Sequence, residues 1–397
     1  MSWKPDHPRV WDEAIDRFTS AYPHIKVVRE IAPHSSTAYH DLLTQKLKNR
    51  DLSVDLFFMD VVWIAEFAAA GWALPIDEVF PPSERERFLP ATIQAGTYER
   101  HVYGVPSRID GGMLYYRADL LDKYGLEPPT TWEDLARQAD EIVRGEAADQ
   151  PALRGYVAQF KQYEGLVCNM LEFVGSNDGG LLNEEGTQST LSTPEALASV
   201  EFVRDSIIRR LASPAVLTYQ EPESLAVFVQ GKAVFHRNWP YAWEVANNPD
   251  RSRIAGKVGV VPLPNFAGSR SVSALGGWLF GISAYSQHPL EAWQFISFLT
   301  SYDLQKHFAI LSGIAPSRIA LYSDAEVLTA APQFRNLYAV FQSTTPRPRS
   351  PLYPAVSNVL QRYFSRALAF TDLDLRVEAA IADRQINRLL ALTRSNP

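Results

Sequence analysis

Short, uniformly apolar segments alternate with amphipathic ones along this chain, and few architectures accommodate that alternation. VDLFFMD (54–60) is apolar at successive positions between acids, as a strand covered on both faces must be. WIAEFAAAG follows as a helix closed by Gly71, which can take the left-handed conformation past a helix end. WDEAIDRFTSAY places Trp11, Ala14, Ile15, Phe18 and Tyr22 at helical steps and stops at Pro23; IKVV (25–28) then reads as a strand. DLLTQKLKNR predicts a helix, MLYYR (113–117) a strand, and ADLLDKYG a short helix ended by Gly125. Thr130 and Glu133 are spaced as a capping box, and Thr193 followed by Pro194 marks a second sharp helix start. EAWQFISFLTS is amphipathic, as is VSNVLQRYFSRAL with Val356, Val359, Leu360, Tyr363, Phe364 and Ala367. Strand and helix in alternation predict an α/β fold in preference to a sandwich or a bundle.

The 397 residues exceed one ordinary core and suggest two or three domains, at roughly 100–200 residues each. A net charge of −7 without any Lys/Arg block argues against nucleic acid as a partner, because phosphate binding needs a basic surface. One cysteine, Cys168, excludes an internal disulfide and a cysteine zinc cluster. No run reaches the roughly eighteen apolar residues of a membrane span, and the richest stretch is broken by Asp55, Asp60 and Glu66. Phosphate-binding, dinucleotide, nucleophile-elbow and zincin motifs are absent, and none of the eight histidines pairs with another at helical spacing. No metal and no cofactor is therefore expected. MSWKPDHPRV lacks the apolar core of a signal peptide, which taken literally reads as cytosolic.

Two features point toward a ligand. Asp60 and Asp110 end apolar strands, where functional residues of α/β proteins gather. Such acids can serve as the acid and base of a glycosidase, accept hydrogen bonds from sugar hydroxyls, or cap a following helix. FHRNWPYAWE (235–244) sets Trp239, Tyr241 and Trp243 around one proline, which suits either a buried strand face or a flat platform.

In order and spacing across nearly the whole chain, the sequence resembles family 1 of the extracellular solute-binding proteins of ABC sugar importers, and within it the trehalose/maltose-binding branch. The segments that carry the resemblance are 54–77, YGVPSRIDGGMLYYRADLLDKYGLEPPTTWEDL (103–135) and YEGLVCNMLEFVGSNDGG (163–180). GKAVFHRNWPYAW (231–243), VGVVPLPNFAGSRSVSALGGWLFGIS (258–283), AWQFISFLTSYDLQ (292–305), GIAPSR (313–318) and PRPRSPLYP (346–354) continue it. The resemblance implies a two-lobed periplasmic-binding-protein fold (type II), with the ligand in a cleft between lobes joined by a multi-crossing hinge. The lobes would be 1–110 with 263–314, and 111–262 with 315–397. TTPRPRSPLYP (344–354) is expected to be an ordered crossing loop.

The same resemblance assigns residues. Asp60 and Asp110 would accept hydrogen bonds from sugar hydroxyls, and Arg108 stands where relatives often carry an aromatic. Trp239 and Tyr241 would stack on a pyranose, whose C–H face complements the negative face of an aromatic ring; Pro240 stiffens the pair, and Trp243 belongs to the core. Gly276 and Gly277 would form a turn that lets backbone N–H groups approach the ligand, with Trp278 flooring the cleft. Arg347, or its neighbour Arg349, would reach the cleft, and Ser35 and Ser36 would offer hydroxyl contacts. The function implied is a non-enzymatic receptor that closes on an α-linked disaccharide or glucoside such as trehalose, maltose, sucrose or glucosylglycerol. Its partners would be the sugar and membrane permease subunits, and it would act as a monomer. A glycosidase using Asp60 and Asp110, or a receptor for a non-sugar solute, are the alternatives. Family members open with a signal sequence, often of lipoprotein type, and a first strand of which this chain has at most a fragment. Export to the periplasm or cell exterior, with or without a lipid anchor, is the expectation; an in-frame stop codon directly upstream of Met1 would remove it.

Overall fold

The computed structural model describes residues 8–342 and 344–394, and the chain divides into two compact units. The first takes the chain up to Asp110, Gly276–Gln342 and Arg349–Tyr353; the second takes Gly111–Leu275, Ser343–Pro348 and the chain from Pro354 onward. The first stretch of the first unit ends at Asp110; the segments 263–275, 315–342 and 349–353 lie in the opposite units from those expected, and hydrogen bonds give the reason for the first two. Ser273 Oγ donates to Gly112 O and Ala274 N–H to Glu172, which holds this segment in the second unit. Gln305 receives the N–H groups of Ser317 and Arg318, which holds that segment in the first. The 344–354 stretch is indeed a crossing loop, passing from the second unit to the first after Pro348 and back after Tyr353.

In the first unit, the helix Pro8–Ala21 buries Val10, Ala14 and Phe18, and the other members of the expected stripe, Trp11, Ile15 and Tyr22, pack partly buried against the core. Phe18 packs on Phe295 at 4.7 Å between ring centroids, so this helix is fastened to the helix Pro289–Leu299. The strand Leu56–Asp60 pairs antiparallel with the strand Ser273–Ile282, setting Phe58 opposite Phe280 and Asp60 opposite Trp278. The IKVV segment is not a strand. Ile25 and Val27 pack partly buried against the core, but their backbone has no ladder among the described residues. Apolar β-branched residues supplied the side-chain burial without the pairing.

Gly276 and Gly277 are interior to the 273–282 strand and do not form a turn. Gly277 has φ +135°, and a Cβ there would lie 2.6 Å from Arg108 O and 3.3 Å from Ile109 Cα. Both neighbours are backbone and cannot swing aside. Gly277→Ala should therefore cost about 2–3 kcal/mol through strain and overlap, read as a lowered urea midpoint. An unchanged midpoint would refute this account of the glycine.

The second unit is built on a four-stranded sheet in the order Arg154–Val157, Ala233–Asn238, Met113–Arg117, Val258–Pro262. The first pair is parallel, and Met113–Arg117 is antiparallel to both its neighbours. Every residue of the 233–238 strand is buried, including His236, Arg237 and Asn238. The helix Trp132–Gly145 is capped by Thr131 with Asp134, one residue beyond the expected Thr130 and Glu133. Thr130 O accepts from Asn265 N–H and Trp132 N–H donates to Asn265 O, which bridges Thr131 to Asn265 and keeps the chain extended through residue 131, so the helix and its cap begin one residue later. Thr193 caps its helix as expected, with Pro194 at the first position. Gly71 and Gly125 both take φ near +65° at helix ends.

Candidate functional site

Several of the expected ligand residues of the first unit gather around the same end of its central strand. Asp60 closes the 56–60 strand, is 7% exposed, and pairs in register with Trp278. Its Oδ1 accepts the Val62 N–H at 3.3 Å, and Val61 N–H donates to Gly277 O, so the turn after the strand holds the carboxylate. Arg108 and Asp110 lie two apart on the strand Val105–Gly111 and therefore share a face, with Arg108 Nε 3.3 Å from Asp110 Oδ2. That charge on Asp110 also reaches Tyr322, whose phenol burial and the nearby carboxylate push well above its usual range.

Trp278 sits inside an aromatic cluster. Trp63 meets it edge-on at 5.5 Å and 89°, Tyr39 lies at 6.1 Å and Phe58 at 6.4 Å. At 7% exposure the indole belongs to the core. Trp63, three residues after Asp60, looks in sequence like the first apolar residue of a helix, and its place just past a strand-end acid is the only signal it carries. Ser35 caps the helix Ser36–Lys48, its Oγ accepting Ala38 N–H at 3.4 Å, and Ser36 is that helix's first residue. Tyr39, one turn on, carries this helix onto Trp278.

His40 on the same helix lies 2.5 Å from Glu66 Oε2 and 5.2 Å from the Trp63 ring. Burial favours the neutral imidazole, but the hydrogen bonds and charges of Glu66 and Asp41 outweigh it and raise its pKa above the usual value. A raised folded pKa means His40 contributes stability fully below about pH 6.5, the unfolded value, and loses it as pH rises through the folded one. The stability difference between the parent and His40→Asn, followed by urea melts from pH 6 upward, should shrink with rising pH. A pH-independent difference would count against it.

In the second unit, Trp239 follows the buried 233–238 strand and is half-buried. The Arg237 guanidinium lies 3.9 Å from its ring centroid, its Nε1 donates to Glu221 Oε1 at 3.1 Å, and Tyr115 Oη donates to its carbonyl at 2.9 Å. Tyr241 is half-buried at the start of the helix Ala242–Asn247. Trp243, expected in the core, is only half-buried on that helix, because Ala242, Val245 and Ala246 form its inner face. His236 is fully buried, its Nδ1–H donating to Val157 O and its Nε2 accepting from Asn238 Nδ2, and burial pushes its pKa down to about 3, so it stays neutral. Arg237 and Glu221, which hold the Trp239 ring, do not stand out in the sequence; the available signal is the polar run His236-Arg237-Asn238 in a strand that leads directly into Trp239.

Arg347 and Arg349 separate cleanly. Arg347 is buried in the second unit with Nη1 2.8 Å from Glu164 Oε1, while Arg349 is exposed and belongs to the first unit. Glu164 also accepts a short hydrogen bond from Ser357.

Residues 4–306 match the family described as bacterial extracellular solute-binding protein. A probable ABC transporter-binding protein of Deinococcus radiodurans is 37% identical over 325 residues, covering 82% of this chain and 76% of its own. Among solved structures, the maltose-bound MalE3 of T. maritima superposes with a TM-score of 0.90 at 37% identity, over 99% of both chains. A solute-binding protein of Thermotoga lettingae bound with α-D-tagatose gives 0.87 at 25% identity over 98% of both. The type II two-lobed fold expected from the sequence is thus the fold of this chain, and a glycosidase reading of Asp60 and Asp110 is set aside, since the family binds solutes and is not enzymatic. The chain belongs to the bacterial extracellular solute-binding proteins, as the sugar-binding component of an ABC transporter.

Proposed function

We propose that this protein captures an α-linked disaccharide or similar glucoside and presents it to membrane permease subunits. The observation that most supports this reading is the mounting of Trp239. A half-buried indole, backed on one side by a cation and held at its N–H, is a flat surface restrained before any ligand arrives. The C–H face of a pyranose suits such a surface, and restraint lowers the ordering cost of binding. Asp60 and Asp110 offer ionised acceptors, whose hydrogen bonds are roughly twice as strong as neutral ones. In this proposal Gly276, Gly277, Trp278, Tyr241, Arg347, Ser35 and Ser36 complete the contacts. The maltose bound by MalE3 favours a disaccharide over a polyol or ketose.

The proposed protein is monomeric and exported, held by a lipid anchor or free. Among the described residues no helix is long and apolar enough to cross a membrane. A thermal-shift and calorimetric panel of maltose, trehalose, sucrose and glucosylglycerol, with tagatose and mannitol alongside, tests the ligand class. A ligand at about 1,000 times its Kd adds about 4 kcal/mol to stability. The expected result is tight binding of one disaccharide or glucoside, recovered intact. Tight binding of mannitol or tagatose alone overturns the disaccharide assignment.

A further inference from the structure

In the second unit the Trp239 ring rests on one member of a fully buried ion pair. Arg237 and Glu172 are each 1% exposed in their side chains and are joined twice, Nε to Oε2 at 2.8 Å and Nη2 to Oε1 at 2.5 Å. Burial alone works to raise the carboxyl pKa, and the guanidinium beside it opposes that. A buried pair of this kind loses so much hydration that an apolar pair of equal volume often serves stability as well or better. The geometry around the pair supplies a different purpose.

Arg237 is gripped on every side. Its Nη1 approaches Gln159 Oε1 at 3.3 Å, Gln159 Nε2 in turn donates to Arg237 O and to Ser224 Oγ, and the guanidinium plane carries the Trp239 ring. Glu172 has two further contacts at the edge of the second unit. Its Oε1 accepts the Ala274 N–H at 3.1 Å, and it lies so close to Gly112 that a Cβ there would be 2.0 Å away. Gly112 and Ala274 stand within two residues of the points where the chain enters this unit, after Asp110, and leaves it, after Leu275.

Resting on the sugar-platform reading of Trp239, we propose that Arg237 and Glu172 are positioning residues. They fix the tilt of the Trp239 ring and tie it to the chain segments at Gly112 and Ala274. A planar guanidinium held by two hydrogen bonds has one orientation, and an indole stacked on it inherits that orientation. An aliphatic support of the same size would bury the ring equally but leave its tilt restrained only at the N–H by Glu221. Neither residue touches the ligand; both act through Trp239.

The test uses a charge-neutral double variant, Arg237→Met with Glu172→Gln, which leaves no unpaired buried charge and retains an acceptor for Ala274 N–H. Arg237→Lys, which keeps the charge and loses the planar fork, is the second variant. The first arm needs no ligand. Acrylamide quenching and near-ultraviolet dichroism of Trp239, isolated by subtracting the Trp239→Phe parent, should show a more accessible, less asymmetric indole in both variants. The second arm measures maltose by calorimetry, with Kd expected to weaken about tenfold or more as the restrained anchor is freed. Folded variants with parental quenching and dichroism overturn the proposal, and so does failure of both variants to fold, which would make the pair purely structural. A parent that binds no sugar overturns the platform reading instead, while the first arm still decides how the ring is held.

Discussion

Trp239→Ala should weaken sugar binding about 30-fold or more, the loss of roughly 2 kcal/mol expected when a central aromatic anchor is removed. The sequence suggests that such a change leaves stability nearly intact, as for any surface platform. The structure alters that expectation, because the inner ring face covers Arg237 at 3.9 Å. Losing a desolvated cation–π contact should lower stability by about 1–2 kcal/mol. Trp239→Phe keeps a ring on the guanidinium and surrenders only the hydrogen bond to Glu221, so it should be the more stable variant and the intermediate binder. Calorimetry beside urea melts separates the two quantities. A folded Trp239→Ala protein with parental affinity means that the sugar lies elsewhere.

Gly112→Ala should be among the most damaging single-methyl additions in the molecule. The new Cβ would lie 2.0 Å from Glu172 Oε1 and 2.7 Å from Arg237 Nη2. Side-chain ends ordinarily swing aside at little cost, but these are held by each other and by Ala274 N–H. Displacing the carboxylate separates a fully buried ion pair, for which about 3–5 kcal/mol is the usual penalty. The urea midpoint should fall accordingly, whereas Gly125→Ala, with nothing within 4 Å of its added methyl, should lose only the cost of its left-handed backbone. Similar losses for the two variants would show that backbone conformation, not the ion pair, sets the cost.

Much of the fold was legible because its signals are local. An apolar run between acids marked the 56–60 strand, spaced apolar residues marked the 8–21 and 353–369 helices, and Thr193 with Pro194 marked a helix start. The misreadings share one cause: two local solutions were nearly equal and a distant contact chose between them. Thr130 and Thr131 are both competent caps, and Asn265 selected the second by pairing with the backbone of residue 130. Gly276 and Gly277 resemble a turn in sequence, yet they lie in the strand that pairs with Leu56–Asp60, and Gly277 is a glycine there because Arg108 O comes too close for any side chain. Trp243 looks like core by spacing, but the helix turns its alanines and Val245 inward instead.

The sequence by itself determined the α/β class, the family, and which residue types could meet a neutral, hydroxyl-rich ligand, since these follow from periodicity and from motifs read in order. Only the tertiary structure decided how those residues are supported. It separated Arg347, buried on Glu164, from exposed Arg349, and it set Arg237 beneath Trp239 with Glu172 behind it. Support of this kind joins positions as far apart as 172 and 237, or 164 and 347. Nothing in the local chemistry of either partner encodes the other, because a buried charge specifies only that it must be paired, and the fold chooses with what.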